Sequence, residues 1–293
     1  MTVSREQANR ELYLELLKKA ILFEIYLEHE QKYVQFLDPN NALFSPTKEN
    51  RQRGQDWPPI AHTMVGRERI NNLHQCMTSV INENIEGDFI ETGAWRGGSC
   101  LLMRGFLKSH GITDRKVWVA DSFEGLPAPD PQYPVDAGLT LHEVDFLRVS
   151  VEEVIDNFKK YDLLDDQVIF LKGWFKETLP VAPIEKIAIA RLDGVMYSST
   201  TEAFMNLYHK VSVGGYVIIN DYSVPMCHRA VHDFRNKLNI TESIINVDGF
   251  SAFWKKTKEI EVAQPTEPEV RPTEPVVAQA TVASQGHDRI YRF

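Results

Sequence analysis

The spacing of apolar residues predicts helices in the first third of the chain. Leu12, Leu16, Ala20 and Phe23 recur at intervals of three or four within residues 4–37, a stretch that contains no Gly or Pro. This spacing is typical of one long amphipathic helix. Because further apolar residues widen the stripe, we expect the helix to pack on the core or in a homodimer. A lid over the substrate is the alternative.

The following segment divides into a predicted loop and a second helix. Residues 38–60 carry four prolines and Gly54, which favour a loop. Residues 66–84 return to helical spacing, with Ile70, Leu73 and Met77 on one side. Residues 1–57 are therefore interpreted as a helical extension that precedes the main domain.

After residue 86, short apolar runs alternate with helical ones, a pattern that favours a parallel sheet with crossover helices. Strands are predicted at residues 88–91, 116–120, 168–172, 187–192, 216–219, 242–247 and 252–255. Ser150 with Glu153, and Ser199 with Glu202, have capping-box spacing and predict helices over 151–161 and 200–210. The pattern therefore predicts an α/β fold with a mostly parallel seven-stranded sheet and helices on both faces.

The last part of the chain differs in composition. Thr-Glu-Pro repeats at residues 266 and 273, and large apolar side chains are few. Such a segment buries too little apolar surface to fold alone, so residues 257–293 are predicted to be a disordered tail. The main domain is accordingly expected over residues 58–256.

Composition restricts the partners and the compartment. The 293 residues carry a net charge of −9 without a run of Lys and Arg, which argues against nucleic acid. Three cysteines, an odd number with no close pair, argue against a disulfide framework. No apolar run reaches the roughly 18 residues of a membrane span, and the start does not resemble a signal peptide. We therefore expect a cytoplasmic protein with a small-molecule partner and no membrane.

A glycine-rich turn follows the first predicted strand. Glu91 ends that strand, and Gly93, Gly97 and Gly98 come before the next helix. Trp95 stands where dinucleotide folds keep a glycine close to the pyrophosphate, which disfavours NAD. An acidic strand end suits a cationic donor such as S-adenosylmethionine. A purely structural strand–turn–helix joint stays open as the alternative.

Acidic or amide side chains also end three later strands. Asp121 ends the second strand, where ligands of open parallel sheets bind, and could accept the hydroxyls of a ribose. Asp193 and the Asn220–Asp221 pair end two further strands, whose ends are neighbours in this fold. Oxygen ligands suit Mg²⁺, which would acidify a bound alcohol. Asp-Gly and Asn-Asp are also good turn sequences, so turn chemistry remains the alternative.

With these residues in view, the chain resembles the macrocin, mycinamicin and novobiocin type of S-adenosylmethionine- and metal-dependent O-methyltransferases. The matching motifs run in order over residues 58–256: PPIAHTMVG (58–66), IETGAWRGGS (90–99), VADSFEGLP (119–127), GWFKETLP (173–180), RLDG (191–194), MYSST (196–200), GGYVIINDY (214–222) and RAVHDFR (229–235). The resemblance implies a Rossmann-like class I methyltransferase fold.

The resemblance also implies particular site residues. For the donor these are Thr63, Met64, Glu91, Gly93, Trp95, Ser99, Asp121, Ser122, Gly173 and Trp174. For the metal, expected to be Mg²⁺, they are Asp193, Asn220 and Asp221.

Two positions depart from the family pattern. The family usually reads Leu-Asp-Gly-Asp-Met-Tyr, with the second Asp as the proposed general base in some members, whereas this chain has Val195. It usually reads Asp-Asp-Tyr, whereas this chain has Asn220, which offers an uncharged oxygen and predicts weaker Mg²⁺ binding. His228 and Tyr197 are the candidates for the missing base. Further candidates are His62, His142, His209 and His232.

The expected activity is methylation of a hydroxyl on a natural product. The acceptor could be a polyketide, a non-ribosomal peptide of the microcystin type or a glycosylated macrolide. Because Val195 and Asn220 each remove a carboxylate, a donor-binding protein that has lost catalysis is the alternative function. A nucleotide-dependent enzyme on a similar sheet is a third.

Overall fold

The computed structural model describes residues 4–37 and 46–260. Within these residues a seven-stranded sheet has the order β3-β2-β1-β4-β5-β7-β6. The strands are β1 (Asp88–Thr92), β2 (Val117–Asp121), β3 (Val168–Lys172), β4 (Ile187–Leu192), β5 (Val211–Ile219), β6 (Ile245–Asn246) and β7 (Ala252–Lys255). The first five are mutually parallel, and β7 runs antiparallel to both β5 and β6. This arrangement confirms the predicted class I methyltransferase fold.

Helices cover both faces of the sheet in the described part of the chain. They are α1 (Arg5–Ile21), α2 (Leu27–Leu37), α3 (Lys48–Arg53), α4 (Gly66–Asn82), α5 (Gly98–Ser109), α6 (Val151–Lys160), α7 (Phe175–Thr178), α8 (Tyr197–Leu207) and α9 (Pro225–Lys237). Buried residues of α1, α4, α5 and α6 form one core cluster, and those of α8 and α9 form the other. Strand β4 is buried along its whole length because it lies between these two layers.

The prediction of one continuous helix over residues 4–37 is wrong, because the segment contains two helices. Helix α1 ends at Ile21, Phe23 takes a left-handed φ of 55°, and a short 3₁₀ turn precedes α2. The break is fixed by tertiary contacts, since Arg67 bonds to Glu24 and Arg51 donates to the Leu22 carbonyl. The spacing of apolar residues gives no information about these distant partners, so it could not predict the interruption of the helix.

Helix α1 packs against α5, so it belongs to the main core. Its outer side exposes Leu12 and Leu16 to solvent. The predicted homodimer through this helix stays a prediction. No helix in the described residues is both long and apolar enough to cross a membrane.

The predicted loop over residues 38–60 is wrong in its last part, because α3 lies within it; residues 38–45 lie outside the described residues. The Thr47 side chain accepts from the Asn50 N–H at the start of α3, and Gly54 ends the helix with a φ of 61°. Arg51 from α3 is buried and bonds to Glu30 and Asp56. This ion-pair cluster connects α2, α3 and the chain that follows α3.

Other boundaries differ by a few residues. Ser150 accepts from the Glu153 N–H and starts α6 as predicted. Helix α8 begins at Tyr197 rather than at residue 200, because Asp136 caps it from a distant loop. Strand β5 is longer and β6 shorter than predicted. Most of the predicted disordered tail, residues 261–293, lies outside the described residues.

Candidate active site

The carboxyl ends of β1 and β4 are neighbours at the point where the strand order reverses, which is where ligands bind in open α/β sheets. A cavity of about 1040 Å³ opens there. Its size is at the upper limit of the roughly 300–1,000 Å³ of small-molecule sites, which leaves space for a donor and an acceptor together. Every residue predicted for the donor or the metal lines it: Thr63, Met64, Glu91, Gly93, Trp95, Ser99, Asp121, Ser122, Gly173, Trp174, Asp193, Asn220 and Asp221.

The glycine-rich turn after β1 is held by Asp121. Its Oδ2 accepts from the N–H groups of Ala94 (2.7 Å) and Trp95 (3.2 Å), and its Oδ1 accepts from the Phe123 N–H. Gly93 has a φ of 86°, and a Cβ built on it would lie 2.0 Å from the Asp193 carbonyl oxygen. The carboxylate therefore shapes the turn in addition to the predicted contact with a ribose, which stays a prediction.

The other predicted donor residues surround the same turn. Ser99 lies in the first turn of α5, and the Ser122 hydroxyl donates to the Gly125 carbonyl at 2.6 Å. The Gly173 N–H donates to the Asp121 carbonyl at 3.0 Å, which ties the β3 loop to β2. The segment that carries Thr63 is attached to the start of α5, because the Gly98 N–H donates to the His62 carbonyl at 2.9 Å.

Glu91 is engaged within the protein, which differs from the expectation that it would attract the charge of the donor. It pairs in register with Arg191 on β4, and both side chains are 2% exposed. One Glu91 oxygen accepts from Arg191 and the other from the Cys100 thiol at 3.0 Å. The negative charge of Glu91 is thus already balanced by a buried guanidinium.

Arg191 continues into the cluster expected to hold a metal. It donates to Asp193 Oδ2 (2.8 Å) and to Asn220 Oδ1 (2.7 Å). The Asn220 Nδ2 donates to Asp193 Oδ1 (2.9 Å) and Asp221 Oδ1 (3.0 Å). Asp221 Oδ2 is buried and has no hydrogen-bond partner among the described residues. Burial and the adjacent charge of Asp193 raise the pKa of Asp221 well above its usual range.

This donor set does not fit a divalent ion held by all three side chains. A guanidinium can only donate, so the oxygen of the Asn220 amide must face Arg191. The amide N–H groups then face Asp193 and Asp221, which accept. The Asn220 amide therefore presents its hydrogens, and not its oxygen, to the two carboxyl groups in this structure, and its predicted binding of Mg²⁺ stays a prediction. Among the described residues, no three His, Cys, Asp or Glu side chains form a metal-binding group.

An aromatic cluster of Trp57, Trp95 and Phe146 lies beside the cavity, which the two tryptophans line. The Trp95 Nε1 donates to the Phe146 carbonyl (3.1 Å), and the Phe146 ring stacks on Trp57 with centroids 5.5 Å apart. The Arg96 guanidinium lies 4.1 Å from the centre of the Trp95 ring. The segment after β2 is thus connected to the glycine-rich turn and to the N-terminal region. Its His142 lines the cavity.

The two predicted catalytic residues, His228 and Tyr197, are not among the residues that line the cavity. His228 is exposed on α9, with its ring 4.2 Å from that of His232. The Tyr197 hydroxyl donates to Asp233 Oδ2 at 3.1 Å. A direct role for either as the base has no support from these positions. Val195, by contrast, lines the cavity in a left-handed conformation with a φ of 56°.

Sequence reasoning gave no role to two residues that organise the site. Arg191 is a charged residue inside an otherwise apolar strand, and such a residue requires a buried partner. The sequence of the strand therefore already indicated that Arg191 forms a buried ion pair. Asp136 is fully buried and accepts from the N–H groups of Tyr197 (2.7 Å) and Ser198 (3.0 Å). It lies about sixty positions before that helix, and no local pattern pointed to it.

Comparison with known proteins identifies relatives over most of the chain. The family model described as macrocin O-methyltransferase (TylF) matches residues 10–256. The chain is 47% identical over 251 residues to an 8-demethyl-8-(2,3-dimethoxy-alpha-L-rhamnosyl)-tetracenomycin-C 4'-O-methyltransferase of Streptomyces olivaceus, covering 85% of this chain and 94% of that protein. It is 44% identical over 262 residues to the demethyldecarbamoylnovobiocin O-methyltransferase of Streptomyces niveus, covering 88% and 98%.

Solved structures agree with this assignment. The O-methyltransferase NovP superposes with a TM-score of 0.79 at 46% identity, covering 85% of this chain and all of that one. The calicheamicin methyltransferase CalS11 shares the fold, with a TM-score of 0.51 at 16% identity. Together with the glycine-rich turn and the cavity at the switch point, these matches show that the chain belongs to the macrocin O-methyltransferase (TylF) family of S-adenosylmethionine-dependent O-methyltransferases.

Proposed function

We propose that this protein transfers the methyl group of S-adenosylmethionine to a hydroxyl of a natural product, with a glycosylated product as the first acceptor class to test. The observation that carries the proposal is the convergence of all the predicted donor residues on one cavity that also contains Asp193 and Asp221. The relatives named above are O-methyltransferases of demethyldecarbamoylnovobiocin and of a rhamnosyl tetracenomycin C, which supports an acceptor of this kind.

Positioning supplies much of the rate in the proposed mechanism. Bound donor provides a methyl carbon whose bond to sulfur breaks as its bond to the acceptor oxygen forms, with the electron pair remaining on sulfur. Holding two reactants in attack geometry is worth about 7–11 kcal/mol of the barrier. The turn fixed by Asp121 holds the donor side, and Trp57 and Trp95 line the same cavity.

The proton of the acceptor hydroxyl needs a basic group to receive it. Val195 has no group that can accept a proton, whereas Asp221 Oδ2 is a buried acceptor without a partner among the described residues. We assign the proton to this oxygen. Mg²⁺ is left out of the mechanism, because Asn220 turns its N–H groups toward both neighbouring carboxylates.

The activity is tested by incubating purified protein with S-adenosylmethionine and a panel of glycosylated, polyketide and peptide alcohols. The expected product is heavier than its acceptor by one methyl group and forms together with S-adenosylhomocysteine, as measured by mass spectrometry. Donor binding without product from any acceptor class would instead support the binding-protein alternative.

The assignment of the proton acceptor is tested by substitution. Asp221→Asn should lower kcat by about 100-fold, the lower range for loss of a general base, with little change in donor affinity. Asp156→Asn is the matched control, since this aspartate is exposed on α6 and does not line the cavity. Full activity in Asp221→Asn together with a large loss in His228→Ala would return the role to His228.

A further inference from the structure

The side chains around Asn220 support an inference about how the negative charges of Asp193 and Asp221 are compensated. This inference rests on the proposed function. Asn220 lies on the chain directly after β5, at the carboxyl edge of the sheet beside β4, and its N–H donates to the Leu192 carbonyl at 2.9 Å. The residue is 6% exposed. Its amide therefore has little freedom, and its neighbours determine which end faces which group.

Those neighbours leave one orientation. Arg191 carries donors only, and one oxygen of each aspartate accepts, so a reversed amide would place its NH₂ group against a guanidinium and its oxygen against two carboxyl oxygens. That reversal loses three hydrogen bonds at a buried site. Leaving buried polar groups unpaired costs about 1–3 kcal/mol each, so the observed orientation is strongly preferred.

The amide thus lies between the two carboxyl groups and contacts both of them. Its two N–H groups contact Asp193 and Asp221 at 2.9 and 3.0 Å, while Arg191 offsets part of their charge from the other side. We infer that the Asn220 amide and the Arg191 guanidinium take the place of a divalent cation in this chain, and that its methyl transfer requires no metal. An aspartate at position 220 would reverse this arrangement, because it adds a third carboxylate and removes both N–H groups.

The test measures metal binding directly. Mn²⁺ is titrated into metal-free wild-type protein saturated with S-adenosylhomocysteine, and free Mn²⁺ is followed by electron paramagnetic resonance. Wild type should show no stoichiometric site. Asn220→Asp should bind Mn²⁺ at least about tenfold more tightly than wild type, since carboxylate oxygens are the ligands these hard ions prefer. Asn84→Asp, an exposed residue outside the cavity, adds the same charge as the matched control.

Activity gives a second, separate readout. Turnover of wild type should change by less than about twofold in EDTA or in added Mg²⁺, because no ion takes part. Stoichiometric Mn²⁺ binding by wild type, loss of turnover in EDTA that Mg²⁺ restores, or a folded Asn220→Asp that gains no affinity would each overturn the inference. Failure of the proposed function is distinguishable, because it would appear as absent product, whereas the Mn²⁺ titration needs no acceptor.

Discussion

Removing the guanidinium of Arg191 should destabilise the protein severely. Arg191 and Glu91 are both 2% exposed, and Arg191 also donates to Asp193 and Asn220. Arg191→Met keeps an unbranched side chain that can fill part of the space but leaves Glu91 as an uncompensated buried charge. Breaking a buried pair in this way costs about 3–5 kcal/mol. Because Asp193 is partly exposed and can be hydrated, we expect about 4 kcal/mol, mostly from Glu91.

The assay is urea unfolding followed by tryptophan fluorescence, for single and double variants. Glu91→Gln combined with Arg191→Met removes both charges of this pair and should recover more than about 2 kcal/mol of the loss, since neither substituted side chain is charged. Arg229→Met is the control, because Arg229 and its partner Asp233 are largely exposed and such pairs contribute at most about 1 kcal/mol.

Two results would refute the reasoning. One is a cost below about 1 kcal/mol for Arg191→Met, which is the range of an exposed pair. The other is a double variant no more stable than the single one, which would mean that the loss does not come from an unpaired Glu91. Either result would also weaken the assignment of Arg191 as the group that orients Asn220.

Three further substitutions test separate parts of the structure by the same unfolding assay. Gly93→Ala should cost more than about 3 kcal/mol, because its Cβ meets the Asp193 carbonyl, whereas Gly111→Ala, with a similar φ but open space, should cost about 1 kcal/mol; equal costs would contradict the clash. Burial lowers the pKa of His74 from 6.5 to about 4, so the unfolded chain binds the proton first and stability should fall as the pH drops through this range. His74→Leu should make this loss of stability at low pH smaller, by at most about 3 kcal/mol. If the variant has the same dependence of stability on pH as wild type, His74 is not the cause of the loss. Val195→Asn should raise the unfolding free energy by about 1 kcal/mol, because asparagine tolerates the left-handed φ of 56° better than a β-branched residue does; a loss of stability would argue against strain at this position.

The sheet and the position of the site could be predicted from local sequence. The parallel strands are short apolar runs, and the polar residues that end them, such as Glu91, Asp121 and Asp193, stand at the carboxyl edge in any right-handed βαβ arrangement. Because parallel strands end at the same edge of the sheet, residues that are far apart in the chain lie close together there. All of these residues line the cavity for that reason.

Features that depend on distant partners could not be predicted. The break after Ile21 requires Arg51 and Arg67, and the start of α8 requires Asp136. Position alone could not tell that Glu91 is balanced by Arg191, because a strand gives the direction of a side chain but not its hydrogen bonds. The position of His228 outside the cavity lining likewise depends on how α9 packs, which the local sequence does not give, and its predicted role as the base stays a prediction.

The two departures at Val195 and Asn220 are physically related. Around Arg191 lie three carboxylates, those of Glu91, Asp193 and Asp221, which already exceed its single positive charge. Two more carboxylates in the cavity would raise this excess, and buried like charges persist only when a cation is bound among them or one of them is protonated. An amide that donates to two of the carboxylates and an apolar side chain at position 195 both lower the need for such a cation. Val195→Asp or Asn220→Asp alone should therefore lower the free energy of unfolding in the absence of metal. Added Mn²⁺ should raise the free energy of unfolding of Asn220→Asp by more than it raises that of wild type.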